Sequence, residues 1–347
     1  MKVLHSIAQQ RGIYYSATAT RDELVTAISR LNFDYQSRQN LLSQAAIKGH
    51  QEKVTSSSVT TALSSPLLMK TVQALKQDLE KGGDIVSVTQ TQDSKIEVNV
   101  EYNEMDFSKT RLKQKIEKEA KIELSVEGET VKIRRPSNNK ANNAVNNLIQ
   151  KIGNFQNKKI VEEKVDLSEI LNPKLRTEFF IELFRKLTGF ILVDVYKIKV
   201  NRLAIGDSDT EDEDLIKAES ELSGIVTKAT IEGQGLLFSP EFDRLNADGF
   251  YICGGVWIAE VILGHDRVTF DIGFENPKEC TGFHFKIGRI YAGPTTKDGK
   301  HRLRPPLAGE IDKYQALIEE ESIKAYNKVC NKVKAKPIAK LNKVAEK

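Results

Sequence analysis

Apolar residues recur at helical spacing in two early segments of the chain. Leu4, Ile7 and Ala8 share one face of a short helix closed by Gly12, and Leu24, Val25, Ile28 and Leu31 share one face of a second. The second opens with Thr20 and Glu23, a capping box in which the Thr hydroxyl accepts from the Glu23 N–H and the Glu carboxylate reaches back. A third helix is predicted from Asp34 through Leu41, Leu42, Ala45 and Ala46 to Gly49. Residues 51–64, with Thr55-Ser56-Ser57-Ser58, read as a linker.

The spacing then switches between periods. Ser65-Pro66 starts a helix bearing Leu67, Leu68, Val72, Leu75 and Leu79 that ends at Gly82. Ile96, Val98, Val100 and Tyr102 alternate with Glu97, Asn99 and Glu101, a half-buried strand whose hairpin partner is Ile85–Thr91. Ser108 is expected to cap a helix with Leu112 and Ile116. Strands around Ile122–Val126 and Val131–Ile133 flank the turn Glu127-Gly128-Glu129, and a helix carries Ala141, Ala144, Val145, Leu148, Ile149 and Ile152. The order reads αββαββα.

Residues 173–188 form an apolar-faced helix (Leu175, Phe179, Phe180, Leu183, Phe184, Leu187) closed by Gly189, followed by a strand from Phe190 to Val200. Ile225–Ile231, Phe250–Leu263, Val268–Phe274 and Thr281–Tyr291 then read as the strands of an antiparallel domain. Pro305-Pro306 ends it. A last helix, from about Glu310 to Val333, leads into a Lys-rich tail.

The expected class is α+β and multi-domain. Residues 1–50 form a helical unit, 51–64 a linker, 65–160 the αββαββα domain, and 161–205 a bridging helix and strand. Residues 206–222 form an acidic linker, 223–308 a β-rich domain, and 309–347 the terminal helix and tail. At roughly 100–200 residues per domain, the length of 347 fits two or three folded domains.

Charge adds one thing the periodicity does not. Lys+Arg is 52 against Asp+Glu 48, a net charge of +4, which excludes a histone-like basic protein and a wholly acidic chain. The total hides opposed patches. Residues 130–160 hold Lys132, Arg134, Arg135, Lys140, Lys151, Lys158 and Lys159 and no acid, whereas 207–221 hold eight acids and one Lys. Asn138, Asn142 and Asn146 recur at i, i+4 along the polar side of the helix in the basic stretch. Amides can bond phosphates or base edges while Lys and Arg release counterions, though the same residues also read as an ordinary solvated helix face. The acidic run lacks the Gly and Glu that a calcium loop from Asp207 needs, since those places hold Asp212 and Ala218.

Catalytic patterns are sparse. No phosphate loop, H-E-x-x-H or G-x-S-x-G occurs. His284 alternates between Phe283 and Phe285 and is expected to face away from the two rings. Glu260, Asp271, Glu275 and Lys278, with His284 near them in sequence, outline a metal-dependent nuclease-like alternative. Cys253, Cys280 and Cys330 stand far apart without a C-x-x-C pair, which argues against a disulfide framework. The first residues lack the apolar core of a signal peptide, and no stretch is long enough to span a membrane. A cytoplasmic place, no membrane partner, no cofactor and no metal are the expectations.

Leu4-x-x-Ile7-Ala8, Gly12-Ile13 and Arg21-x-Glu23-Leu24-Val25-x-x-Ile28 together resemble the SAP and helix-extension-helix families. The resemblance covers about residues 1–32 and implies binding of DNA or RNA, or docking of a protein. It assigns contacts to Arg11 and Arg21, with Lys2 and Arg30 nearby. The extension, Tyr14 to Thr20, carries no Lys. The leading expectation is a non-enzymatic nucleic-acid-binding or adaptor protein. It would use Lys2, Arg11, Arg21, Arg30, Lys132, Arg134, Arg135, Lys140, Asn142, Asn146, Lys151, Lys158 and Lys159. A protein-interaction or assembly subunit, including a homo-oligomer, is the alternative.

Overall fold

The structure, a computed structural model, describes residues 2–16, 18–35, 37, 52–61, 65–91, 95–108, 114–158, 160–202, 226–293 and 301–344. Two units divide the chain, Met1–Gln51 and Glu52–Lys347. In the first, α1 (Lys2–Gln9) and α2 (Arg21–Ser29) flank a turn at Gly12, whose φ of +72° favours glycine. The capping box is formed: Glu23 N–H donates to Thr20 Oγ1 and Thr20 N–H to Glu23 Oε2. Ala8, Leu24 and Ile28 are buried, but Val25 is exposed. Most of the expected third helix, 38–49, lies outside the described residues.

The second unit is α+β and is built on one antiparallel sheet whose two halves have separate cores. The first half contains β1 (Val54–Thr60), α3 (Ser65–Lys81), β2 (Ile85–Gln90), β3 (Lys95–Met105), β4 (Lys115–Glu127), β5 (Thr130–Pro136) and α4 (Asn139–Gln156). Its strands run β2-β3-β4-β5-β1. Val98, Val100, Ile122 and Ile133 meet Leu68, Val72, Leu75, Val145 and Leu148 from the two helices in one core.

Two expectations change here. Val54–Thr60, within the expected linker, is a strand paired along its whole length with β5. Its run of hydroxyl side chains suggests a loop, but the ladder satisfies the backbone and Ser57 and Val59 turn into the core. Ile116, expected in a helix, stands in β4, which pairs continuously with β3 from Lys95↔Ser125 to Met105↔Lys115. Ser108 turns back on Asp106, its N–H and Oγ donating to Oδ1 at 3.1 and 2.6 Å. Residues 109–113 lie outside the described ones. The described order from 54 to 156 is therefore βαββββα rather than αββαββα.

The second half follows β6 (Glu162–Glu163), which borders β1. It comprises α5 (Pro173–Arg185), β7 (Phe190–Arg202), β8 (Lys228–Glu232), α6 (Pro240–Ala247), β9 (Phe250–Val261), β10 (Arg267–Asn276), β11 (Thr281–Ala292), β12 (Arg302–Arg304) and α7 (Ala308–Val344). The strand order is β11-β10-β9-β7-β8, and β1 joins β11 at Val54↔Phe285. The helix α6 is not among the predicted elements, although Ser239-Pro240 is a cap-and-Pro start: Ser239 Oγ accepts from Phe242 N–H. The acidic run 206–222 lies outside the described residues.

An aromatic core fixes this half. Trp257 is fully buried, stacked on Phe270 at 5.1 Å and tilted against Phe184 at 5.0 Å. Phe184 from α5 reaches the sheet because residue 255 is glycine: a Cβ there would stand 2.5 Å from Phe184 Cζ. Gly255→Ala is expected to cost about 1–3 kcal/mol by overpacking, read as a lower chemical-denaturation midpoint.

Candidate anion-binding sheet face

Tertiary structure supplies acids to the stretch that lacks them in sequence. Lys132 pairs with Glu127 at 2.7 Å, Lys140 with Asp84 at 2.5 Å, and Lys151 with Asp78 at 2.6 Å. Arg134 donates twice to Glu319 of α7, at 2.6 and 2.9 Å, and once to Glu123. Burial pulls its guanidinium down, but these carboxylates hold it above its ordinary value. Arg135 is buried and donates to Asn142 Oδ1, Ser57 Oγ and Glu162 Oε1. Burial there outweighs Glu162 and leaves it below its ordinary value. Asn142 is thus an internal acceptor, and it and Asn146 line a polar pocket of about 200 Å³ beside Arg135. Lys158 is exposed, and Lys159 lies outside the described residues.

In the N-terminal unit Arg11 donates to Asn32 O, pairs with Asp34 at 3.7 Å and lies over the Phe33 ring. Arg21 and Arg30 are exposed. Lys2 begins α1, and its side chain is outside the description. Arg135, Asn142 and Asn146 are brought together at the pocket, while Lys132, Arg134, Lys140 and Lys151 are each held by a carboxylate.

A different cationic surface lies on the second half-sheet, on the side opposite its aromatic core. Side chains alternate across a strand, so burial of Phe283 and Phe285 turns His284 and Lys286 to the other face. Register aligns four strands there: Lys199 of β7 faces Gly254 of β9, Gly254 faces Gly273 of β10, and Gly273 faces His284 of β11. One step along, Lys197, Val256, Asp271 and Lys286 form the next row. Lys197 is neutralised by Glu232. The two glycines leave the floor bare, and the neighbouring side chains lean over it. A Cβ on Gly254 would lie 3.5 Å from Lys199 Cδ, and one on Gly273 would lie 3.4 Å from His284 Nε2.

Lys53, brought in by β1, closes this end with Nζ 2.8 Å from His284 Nε2. Burial, and then Lys53, push the imidazole down to about 4, so His284 is neutral at pH 7 and its Nε2 accepts from the ammonium. For Lys53, burial and the repulsion of Lys199 and Lys286 outweigh the attraction of Asp271 and hold it below its ordinary value. Among the described residues, Lys53, Lys199 and Lys286 are in no carboxylate ion pair, and Asp271 is the acid in their midst. The face therefore attracts anions. Sequence reading overlooked these lysines. The alternation Lys197-Ile198-Lys199-Val200 and Phe285-Lys286-Ile287 was the available signal, but strand order is not written in it.

The nuclease-like set is not assembled. Glu260 is held by Arg267 at 2.8 Å and lies four residues along β9 from Val256, the partner of Asp271. Among the described residues no group of three His, Cys, Asp or Glu could hold a metal. Burial pushes the Cys253 and Cys280 thiols up to about 11 and about 12, which keeps them protonated and poor nucleophiles.

A second concavity, of about 980 Å³, lies between β4, β5 and α7, with Ile262 and Leu263 at its lip. Leu263 is 96% exposed. Among the described residues no helix is long and apolar enough to cross a membrane. No protein-family model and no curated protein matches the chain, so its function is argued from these residues and their geometry.

Proposed function

We propose that the chain is a non-enzymatic nucleic-acid-binding or adaptor protein whose phosphate contacts are Lys53, Lys199 and Lys286 on the open sheet face. The observation that carries this is the contrast in pairing. These lysines lack carboxylate partners among the described residues, whereas Lys132, Arg134, Arg135, Lys140 and Lys151 are all engaged. The SAP-like unit is the second contact in this reading, supported by its helix–Gly–helix order and by the exposed Arg21 and Arg30. The reading includes a cytoplasmic place, which the three free cysteines support.

Affinity for labelled oligonucleotides, measured by fluorescence anisotropy across salt, tests it. Binding should weaken as salt rises, and each lysine removed should flatten the logarithmic slope by about 0.7 on single strands. Lys199→Glu with Lys286→Glu is expected to lower affinity at least tenfold, whereas Lys140→Gln with Lys151→Gln should change it less than twofold. Absence of binding to any nucleic acid sinks the proposal.

The assembly-subunit reading is favoured by one observation, the exposed Leu263 at the lip of the large cleft. Sedimentation equilibrium of the chain and of Leu263→Asp tests self-association through it. A monomer at every concentration removes that form of the reading.

A further inference from the structure

The sheet face carries aromatic rings as well as charge. Tyr196 of β7 and Tyr291 of β11 are half-buried; the register shift between Val195 and Lys197 releases Tyr196 from strict alternation, and burial of Ile290 in the core turns Tyr291 to the lysine face. Tyr196 shares a hydrogen bond with Thr269 of β10 and feels Asp271. Burial above all, and then Tyr291 and Asp271, raise its phenol above the ordinary value. Two tyrosines and three lysines thus occupy one face, with Gly254 and Gly273 between the strands that carry them.

We propose that this face binds single-stranded nucleic acid in preference to duplex, with bases stacked on Tyr196 and Tyr291 and the backbone following Lys199, Lys286 and Lys53. The inference rests on the nucleic-acid reading above and narrows it. Its grounds are geometric. Lys199 and His284 are three strand spacings apart, about 14 Å, so the lysines edge a broad platform. A major groove admits a helix or a two-stranded ribbon, not the face of a sheet at least four strands wide. A duplex would therefore present phosphates alone, and the tyrosines would have no base face to meet. Unpaired bases offer that face whatever their sequence, and stacking on an aromatic ring contributes to affinity without hydrogen-bond readout. Gly254 and Gly273 add room in their own row, where no side chain rises between Lys199 and His284; Val256 and Asp271 stand in the next row.

The test compares one fluorescein-labelled sequence as a single strand and as a duplex, bound to the full chain at fixed salt. At least tenfold tighter binding of the single strand is expected. Tyr196→Leu or Tyr291→Leu should weaken the single strand at least fivefold and leave the duplex within twofold, while Tyr→Phe at either position should retain affinity. Photocrosslinking of a 5-bromouracil single strand to the unaltered protein, mapped by mass spectrometry, avoids any folding defect in the leucine variants. Adducts should fall on the peptides holding Tyr196 or Tyr291. Equal affinity for both forms, or adducts confined to other peptides, overturns the single-strand inference and leaves the broader reading standing. No binding of either form removes both.

Discussion

Arg176→Met is expected to destabilise the second unit by at least about 3 kcal/mol. Arg176 is 1% exposed and has no carboxylate partner among the described residues. Its guanidinium donates to Ile170 O at 2.7 Å, Lys278 O at 2.9 Å, and Leu167 and Glu279 O at 3.4 and 3.5 Å. It also lies 4.7 Å from the Tyr251 ring centroid, and the Tyr251 hydroxyl donates to Pro277 O and Lys278 O. One side chain thus ties the segment before α5 to the turn between β10 and β11. Hydrogen bonds from a charged donor contribute roughly 1.5–3 kcal/mol each, so the two shortest account for the predicted loss; Ile170 O is left without a donor, while Lys278 O keeps the Tyr251 hydroxyl. Arg176→Lys should recover little, because an ammonium cannot span these carbonyls or stack on the ring. The check is the guanidinium-chloride unfolding free energy, and a cost below about 1 kcal/mol for the methionine variant refutes the clamp.

Stability should also fall by about 3 kcal/mol between pH 6.5 and pH 4 through His284 alone. Folding lowers its pKa from the ordinary 6.5 to about 4. In that window the unfolded chain takes up a proton that the folded chain refuses, so stability is complete above pH 6.5 and is lost as the pH falls. At 1.36 kcal/mol per pKa unit, the difference gives the stated magnitude. Because His284 is largely buried, little solvent screening reduces it. His284→Gln should remove this slope while leaving the carboxylate titrations below pH 4.5 in place. The difference between the two stability–pH curves is the measurement, and superimposable curves would show that His284 is not held neutral.

Local patterns carried much of the fold. The alternation from Ile96 to Tyr102, the Glu127-Gly128-Glu129 turn, the capping box at Thr20 and the apolar stripe from Leu175 to Phe184 all appear where period and capping chemistry place them. Each is set by contacts within a few residues. The failures have the opposite origin. Ser56, Ser57 and Ser58 become a sheet strand because β5 pairs with them across about 75 residues of sequence, and Ile116 joins β4 because β3 continues its ladder.

The candidate site divides in the same way. Residue types, spacing and alternation already place His284 on the face opposite Phe283 and Phe285, and show 130–160 to be free of acids. Charge compensation is a property of space. Glu319 reaches Arg134 from 185 residues away, and Asp78 and Asp84 reach Lys151 and Lys140 from another helix end and loop. Five cations of that stretch thereby gain carboxylate partners in the fold, while Lys53, Lys199 and Lys286, scattered over more than 230 residues, converge without carboxylate partners among the described residues. Period and capping act through the nearest neighbours in the chain. Electrostatic fields act through distance in three dimensions, and only strand order and register set that distance.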